Sequence, residues 1–303
     1  MKQTFYSNGK LLITGEYLVL DGAKAFALPT KFGQNLIVKS GKNKEILWKG
    51  FDSDGTIWFE DTILFSDILN KNQFENQTVK NTLIEILHQA YKLNRDYIDE
   101  SEGFKITTEL TFPKNWGLGT SSTLINNIAT WLKIDPFELL QKSFGGSGYD
   151  IACAQNNSPI IYQIINKKPI IEKVFFDNNF KKNIYFVYLN KKQNSKSAIE
   201  NYRNKQNNLE INISKINDIS EIVSKTNSLE IFQTQLENHE KVLSSILKTA
   251  TIKDILFPDF KGTIKSLGAW GGDFIMAVAT EKPHQYFKSK GYEVVLSYHE
   301  LIL

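Results

Sequence analysis

The residues with the clearest chemical potential are Gly117-Leu118-Gly119-Thr120-Ser121-Ser122, which follow Pro113 and precede an apolar run at helical spacing. Glycines let the backbone approach an anion closely and adopt positive φ. A helix starting just after them directs unpaired N–H groups and its positive dipole end at that anion. The hydroxyls of Thr120, Ser121 and Ser122 can bond phosphate oxygens or ligate Mg²⁺. The same residues also suit a plain tight turn with Ser121 as an N-cap. No Gly-Lys-Ser/Thr closes the stretch, so it is not a Walker A loop. Further on, Gly146-Ser147-Gly148-Tyr149-Asp150 presents a carboxylate. Asp150 can take a hydroxyl proton and orient a nucleophile, or cap a helix beginning at Ile151.

These groups need a scaffold, and the apolar pattern outlines one. Leu11–Gly15 and Glu16–Leu20 read as strands before an Asp21-Gly22 turn, with a third strand near 32–39. Segments 44–50 and 56–65 are extended around a turn at 52–55. Val79, Leu83, Ile86, Leu87 and Ala90 have helical spacing. Residues 104–112 alternate as a strand that ends at Pro113. Residues 121–132 read as a helix, and Asp135-Pro136 starts another that reaches about Ser143. A short helix follows over 149–154, then a hairpin of 159–166 with 169–176. Residues 184–189 form an apolar strand, and 198–247 are largely helical with an interruption near 205–216. The pattern closes with strands at 274–279 and 293–298. A boundary near 178 divides the chain into 1–178 and 179–303.

Composition narrows the classes. The 303 residues are 41% hydrophobic and 23% charged, with a net charge of +3, as expected of a globular protein rather than a disordered or membrane one. No apolar run approaches the ~20 residues of a spanning helix, and the N-terminus lacks a signal-peptide core, so a cytoplasmic location is expected. The single cysteine, Cys153, excludes an internal disulfide framework and a Cys-rich zinc site. The four histidines (His88, His239, His284, His299) show no metal-ligand spacing and read as structural or surface residues. Arginine occurs only as Arg95 and Arg203. Since arginine is the usual bidentate reader of phosphate and bases, nucleic acid is not an expected partner. A bound phosphate would be held by backbone N–H groups, lysines and a metal.

Pro113 to Ser122 resembles the second motif of the GHMP kinases, Pro-x-x-x-Gly-Leu-Gly-Ser-Ser-Ala. Gly9-Lys10-Leu-Leu-Ile-Thr-Gly15-Glu16-Tyr17-Leu-Val-Leu20 resembles the first motif, and Ser266-Leu-Gly268-Ala-Trp270-Gly271-Gly272-Asp273 the third. Three motifs in order extend the resemblance over essentially the whole chain. It implies an α+β, two-domain fold: an N-terminal domain like ribosomal protein S5 domain 2, and a ferredoxin-like C-terminal domain. It implies ATP and Mg²⁺ as cofactors and a small-molecule acceptor as partner, with no membrane; a homodimer stays open.

The resemblance also assigns roles. Asp150 and Lys10 would be catalytic, the ammonium lowering the aspartate's pKa and stabilising charge on the transferred group. Pro113, Gly117, Leu118, Gly119, Thr120, Ser121 and Ser122 would hold the nucleotide, with Ser121 on the metal. Glu16, Tyr17, Ser147, Gly148, Ser195, Gly271, Gly272 and Asp273 would face the acceptor. The chain departs from the pattern at several points. Thr120 replaces a serine, Trp270 stands where glycine is common, and the connection from the second motif to Asp150 is short. The stretch Leu139–Phe144 lacks the glutamate that mevalonate kinases use, and Glu138 reads as a solvated helix residue. Tyr17 in place of histidine, the Gly146–Ala154 stretch and Gly271-Gly272-Asp273 lean toward phosphomevalonate kinase. Mevalonate kinase and a catalytically weak, ligand-binding homologue are the alternatives. Lys10, Lys191, Lys192 and Lys196 are the expected charge for a phosphorylated acceptor.

Overall fold

The computed structural model describes residues 2–70, 78–192, 195–204 and 209–303, the side chains of 195–197 excepted. The chain forms two compact units, one of Met1–Gly9, Phe32–Lys114 and Leu118–Gln155, the other of Lys10–Lys31, Asn115–Gly117 and Asn156–Leu303. The second unit joins stretches early in the chain to stretches late in it. The reason is local: residues 10–31 bond to helices late in the chain, as in the 2.7 Å hydroxyl contact of Thr14 with Ser220.

In the first unit, strands β1 (Lys2–Leu12) and β2 (Ala25–Ser40) pair. β3 (Glu45–Phe51) runs antiparallel to β4 (Ile57–Leu64) and parallel to β5 (Gly103–Leu110). β2 joins β5 antiparallel, with Gln34 opposite Leu110. The parallel β3–β5 step needs a crossover, and helix Val79–Leu93 lies within it, capped by the Thr78 side chain accepting from Asn81 N. Ile106, Thr108 and Leu110 are buried along β5, as its alternation predicts. Ile106 joins a core that includes Leu36, Ile46, Leu83, Leu87, Ile125 and Ile128. Asp135 caps the helix Pro136–Ser143 by accepting from Phe137 N and Glu138 N, with proline at its start.

Helix Thr120–Leu132 buries a polar row that its amphipathic pattern does not announce. Asn126 Nδ2 donates to Ser7 Oγ (2.8 Å), and Ser7 Oγ donates to Asn127 Oδ1 (2.8 Å). Asn127 Nδ2 donates to Gln34 O (2.8 Å), and Thr123 Oγ1 to Gln34 Oε1 (2.9 Å). Apolar packing tolerates small rotations of a helix, whereas a satisfied buried network fixes one setting.

In the second unit, β6 (Ile160–Ile165) and β7 (Lys168–Lys173) form the expected hairpin, and Ala25–Ala27 pair with β6. β8 (Ile184–Tyr188), β9 (Thr263–Ser266), β10 (Phe274–Val278) and β11 (Val295–Ser297) form an antiparallel sheet in the order β11-β8-β10-β9. Helices Leu209–Lys225 and Leu229–Leu247 lie between β8 and β9, and helix His284–Ser289 between β10 and β11. This is the β-α-β-β-α-β order of a ferredoxin-like unit.

Three expectations shift. Glu16–Leu20 is not a strand but a tight turn leading into a 3₁₀ turn at Leu18–Asp21. Its apolar run is buried by compaction, and a short apolar run does not distinguish these outcomes. The final strand shortens to Val295–Ser297, because Glu300 accepts from Ser297 N (2.7 Å) and starts a helical turn. Residues 209–216, expected to interrupt the helices, belong to helix Leu209–Lys225.

Replacing Asn127 with Leu deprives Ser7 and Gln34 of partners in a buried place, at a cost of about 1–3 kcal/mol. The urea midpoint should fall with its slope unchanged. An unaltered midpoint would mean that the network adds nothing to stability.

Candidate functional site

In the first unit, Gly119 stands at the head of helix Thr120–Leu132 with φ 100°. That left-handed setting suits glycine and turns the chain so that Gly119 O accepts from Thr123 N (2.9 Å). First-turn N–H groups have no intrahelical acceptor, so those of Thr120–Ser122 project from the helix start. The hydroxyls divide. Ser122 is buried and donates back to Gly119 O (2.9 Å). The Thr123 hydroxyl, absent from the expected set, lies 3.0 Å from Gly119 O and has Gln34 Oε1 as its closer acceptor (2.9 Å). Ser121 is exposed and Thr120 half-buried. Leu118 is fully buried and anchors the loop. Pro113 is half-buried beside Lys114, whose N–H donates to Asp52 Oδ1 (3.1 Å).

Asp150 lies in the first turn of helix Tyr149–Gln155 rather than just before it. The carboxylate is half-buried, and its Oδ1 accepts from Ile151 N at 3.0 Å. A negative charge is favoured at that end of a helix. Ser147 is half-buried and Gly148 buried directly ahead of it. Glu138 is paired with Lys142 across one helical turn (3.0 Å) in solvent, as a solvated helix residue would be.

The second unit gathers members of all three glycine-rich stretches. Lys10 Nζ donates to Gly117 O at 3.0 Å. Gly117 has φ 68°, and a Cβ there would fall 2.4 Å from Asp273 Cγ, so the Asp273 carboxylate occupies the space a side chain would need. Asp273 itself has φ 52°, its N–H donating to Lys191 O (2.6 Å) and its carbonyl accepting from Leu189 N (2.8 Å). Gly271 and Gly272 lead into it. Tyr188 donates to Asn115 O (3.1 Å), and burial, then the Asp273 charge, raises its pKa. Lys191 and Lys192 are exposed; the Ser195 and Lys196 side chains lie outside the described residues.

Glu16 does not line an open surface. It is 1% exposed in a cluster with Lys265 (0%), Glu240 (3%) and His239 (0%). Lys265 Nζ donates to Glu16 Oε1 and to Ser266 O, and lies 3.2 Å from Glu240 Oε1. Ser266 donates to Glu240 Oε2 (2.9 Å). His239 Nε2 accepts from Gly15 N (2.9 Å), which places the ring proton on Nδ1. Burial, then the Lys265 charge, holds the imidazole well below its usual pKa. Its 3.3 Å approach to Glu16 Oε2 is therefore not an ion pair. Burial pushes the Glu16 carboxyl up to about 7 against the pull of Lys265, and raises Glu240 also. Two carboxyls around one ammonium are neutral when they share one proton. Sequence reading missed this cluster, because single charged residues inside apolar elements give no spacing signal.

Among the described residues no group of three or more His, Cys, Asp or Glu side chains is placed to hold a metal ion. No helix among the described residues is long and apolar enough to cross a membrane.

No protein-family model and no curated protein matches the chain. Solved structures do. The mevalonate kinase of Methanococcus jannaschii superposes with a TM-score of 0.72 at 19% identity, over 97% of this chain and 96% of that one. The phosphomevalonate kinase of Streptococcus pneumoniae, in complex with phosphomevalonate and AMPPNP, gives 0.69 at 15% identity, over 95% of both chains. The galactokinase of Lactococcus lactis, complexed with galactose, gives 0.70 at 14%, over 95% of this chain and 88% of that one. What is shared at such identities is the fold.

Glu16 supplies a pH test. Its folded pKa lies above the ordinary value of 4.5, so the stability it contributes is complete below about 4.5 and lost as pH rises through about 7. His239, lowered on folding, acts oppositely: its contribution is present above 6.5 and lost as pH falls below that. Thermal midpoints from pH 4.5 to 8 should show Glu16→Gln without the wild-type decline between 4.5 and 7. Parallel profiles for the two proteins would rule out a buried, titrating Glu16.

Proposed function

We propose, from a chain that carries the GHMP kinase fold, that it is an ATP-dependent kinase transferring the γ-phosphoryl group to a small-molecule acceptor. The observation that carries this reading is the meeting of Lys10, Gly117 and Asp273, one residue from each glycine-rich stretch. The grouping sets a lysine ammonium beside the glycine-rich turn, where it can meet a phosphate.

In this reading the first-turn N–H groups after Gly119 bind phosphate oxygens. Lys10 stabilises charge on the transferred group, which needs no covalent chemistry from the protein, only positioning and electrostatics. Asp150 orients the accepting oxygen and takes its proton where it carries one. The exposed hydroxyl of Ser121 suits a Mg²⁺ ligand, and Mg²⁺ commonly takes only one or two protein ligands beside substrate phosphates. Bound there, the metal would neutralise phosphate charge.

For the acceptor, 5-phosphomevalonate is the finer proposal. Tyr17, the Gly146–Ala154 stretch and Gly271-Gly272-Asp273 support it by resemblance, and Lys191 and Lys192 are exposed cations suited to a second phosphate. Mevalonate is the alternative on the same fold.

A coupled ATP-consumption assay across mevalonate, 5-phosphomevalonate, homoserine and simple sugars tests this, with turnover expected on 5-phosphomevalonate. Asp150→Asn should lower kcat about 10²–10⁴-fold, and Lys10→Met about 10²–10³-fold. Wild-type rates in both variants would defeat the mechanism, and no turnover with any acceptor would favour a ligand-binding protein.

A further inference from the structure

Tyr17 sits in a backbone conformation that needs explanation. Its φ of 64° and ψ of −53° are those of the strained, positive-φ γ-turn, and Leu18 N donates to Glu16 O across it at 2.7 Å. Glycine holds such a place without strain, and a bulky aromatic does not. Strain of this kind persists where the surroundings over-determine it, and it concentrates at functional positions.

Two contacts hold Tyr17, and a third holds its stacking partner. Its ring is 8% exposed and stacks on Tyr202, with centroids 5.3 Å apart and planes at 26°. Tyr202 is held in turn, its hydroxyl donating to Asp21 Oδ2 at 2.7 Å. The Tyr17 hydroxyl accepts from Trp270 N at 3.3 Å. That amide belongs to the third glycine-rich loop, where Gly268, Gly271 and Asp273 all have positive φ. The loop is closed at its base by Leu267 N donating to Phe274 O (3.3 Å) and by Asp273 N donating to Lys191 O (2.6 Å). Tyr17 ties its middle. The donor is a backbone amide, so the departure that makes this bond is the tyrosine at 17.

We infer that Tyr17 is a latch: its strained turn aims the phenol at Trp270 N and thereby sets the loop that delivers Asp273 to Gly117. This makes Tyr17 a positioning residue for acceptor handling, and it rests on the kinase reading above. Rather than touching the acceptor, the hydroxyl occupies a loop amide and fixes the loop. Burial pushes the phenol up to about 12, so it stays protonated across the working range.

Tyr17→Phe removes one oxygen and keeps the ring and the turn. Amide exchange at Trp270 should accelerate about five- to tenfold, the equivalent of one hydrogen bond. Thermal denaturation should still show a folded protein. The kcat/KM for the acceptor should fall by a similar factor, with KM for ATP changing less than twofold. Unchanged exchange at Trp270 in the folded variant overturns the latch. Faster exchange with unaltered acceptor kinetics overturns its positioning role. Should Tyr17→Phe not fold, Tyr202→Leu removes the stack alone and should accelerate the same amide; no acceleration there overturns the proposal. Failure of the kinase reading is seen separately, as wild-type turnover by Asp150→Asn or no turnover by the wild type. Exchange at Trp270 then decides the latch alone.

Discussion

The ammonium of Lys265, with no exposure, constrains three segments of its unit. An isolated buried charge is prohibitively unfavourable, so Lys265 requires both Glu16 and Glu240. Glu16 belongs to the turn after β1, Glu240 to helix Leu229–Leu247, and Lys265 to the strand that enters the third glycine-rich loop. One cation thus fixes three segments at a point. Removing one partner of such a cluster costs about 3–5 kcal/mol, while replacing a whole buried ion pair with apolar side chains is often neutral. The cluster therefore argues for specificity of arrangement more than for stability.

From that anchor the neighbouring geometry follows. His239, one residue before Glu240, accepts the Gly15 amide, and Thr14 bonds Ser220 on the adjacent helix. With Thr14, Gly15 and Glu16 all held, the strand before them has little freedom, and Lys10 reaches Gly117 from a fixed base. On the other side of Lys265 the chain enters the loop ending at Asp273. In the first unit a neutral network does the corresponding task. Thr123, Asn126 and Asn127 bond Ser7 and Gln34 and set the rotation of the helix whose first turn follows Gly119. Two different physical devices, one ionic and one amide-based, hold the two halves of the glycine-rich chemistry.

Much of this was legible in the sequence where periodicity or a capping residue carries the signal. The strand Gly103–Leu110 and the helices beginning at Val79 and Pro136 follow from alternation, helical spacing and the Asp135-Pro136 start. Glu16–Leu20 was misread as a strand because an apolar run records burial, not conformation, and nothing in Tyr17 announces a positive φ. The buried polar groups were invisible for a related reason. Asn126, Asn127 and Lys265 lie in apolar elements, and their partners are far away in sequence, so no local pattern links them. Among the expected site residues, Lys10, Gly117 and Asp273 come together. Glu16 is withdrawn into the ion cluster, and Ser122 turns back on its own helix.

In the proposed kinase reading, the placement of the two arginines bears on how a phosphate would be held. Arg95 lies 5.9 Å over the ring of Tyr91, and Arg203 ends the helix Ser195–Arg203. Neither is part of the Lys10–Gly117–Asp273 grouping. Phosphate recognition without arginine forgoes the planar, bidentate fork and relies on point charges and backbone N–H groups. A lysine fixes distance but little direction, so direction must come from the backbone, and a glycine-rich backbone is directional only when something else holds it still. The Gly117 turn is braced by the Asp273 carboxylate packed where a Cβ would stand, and by Lys10 on its carbonyl. In that kinase reading, the less a cation specifies, the more firmly the backbone around it has to be set.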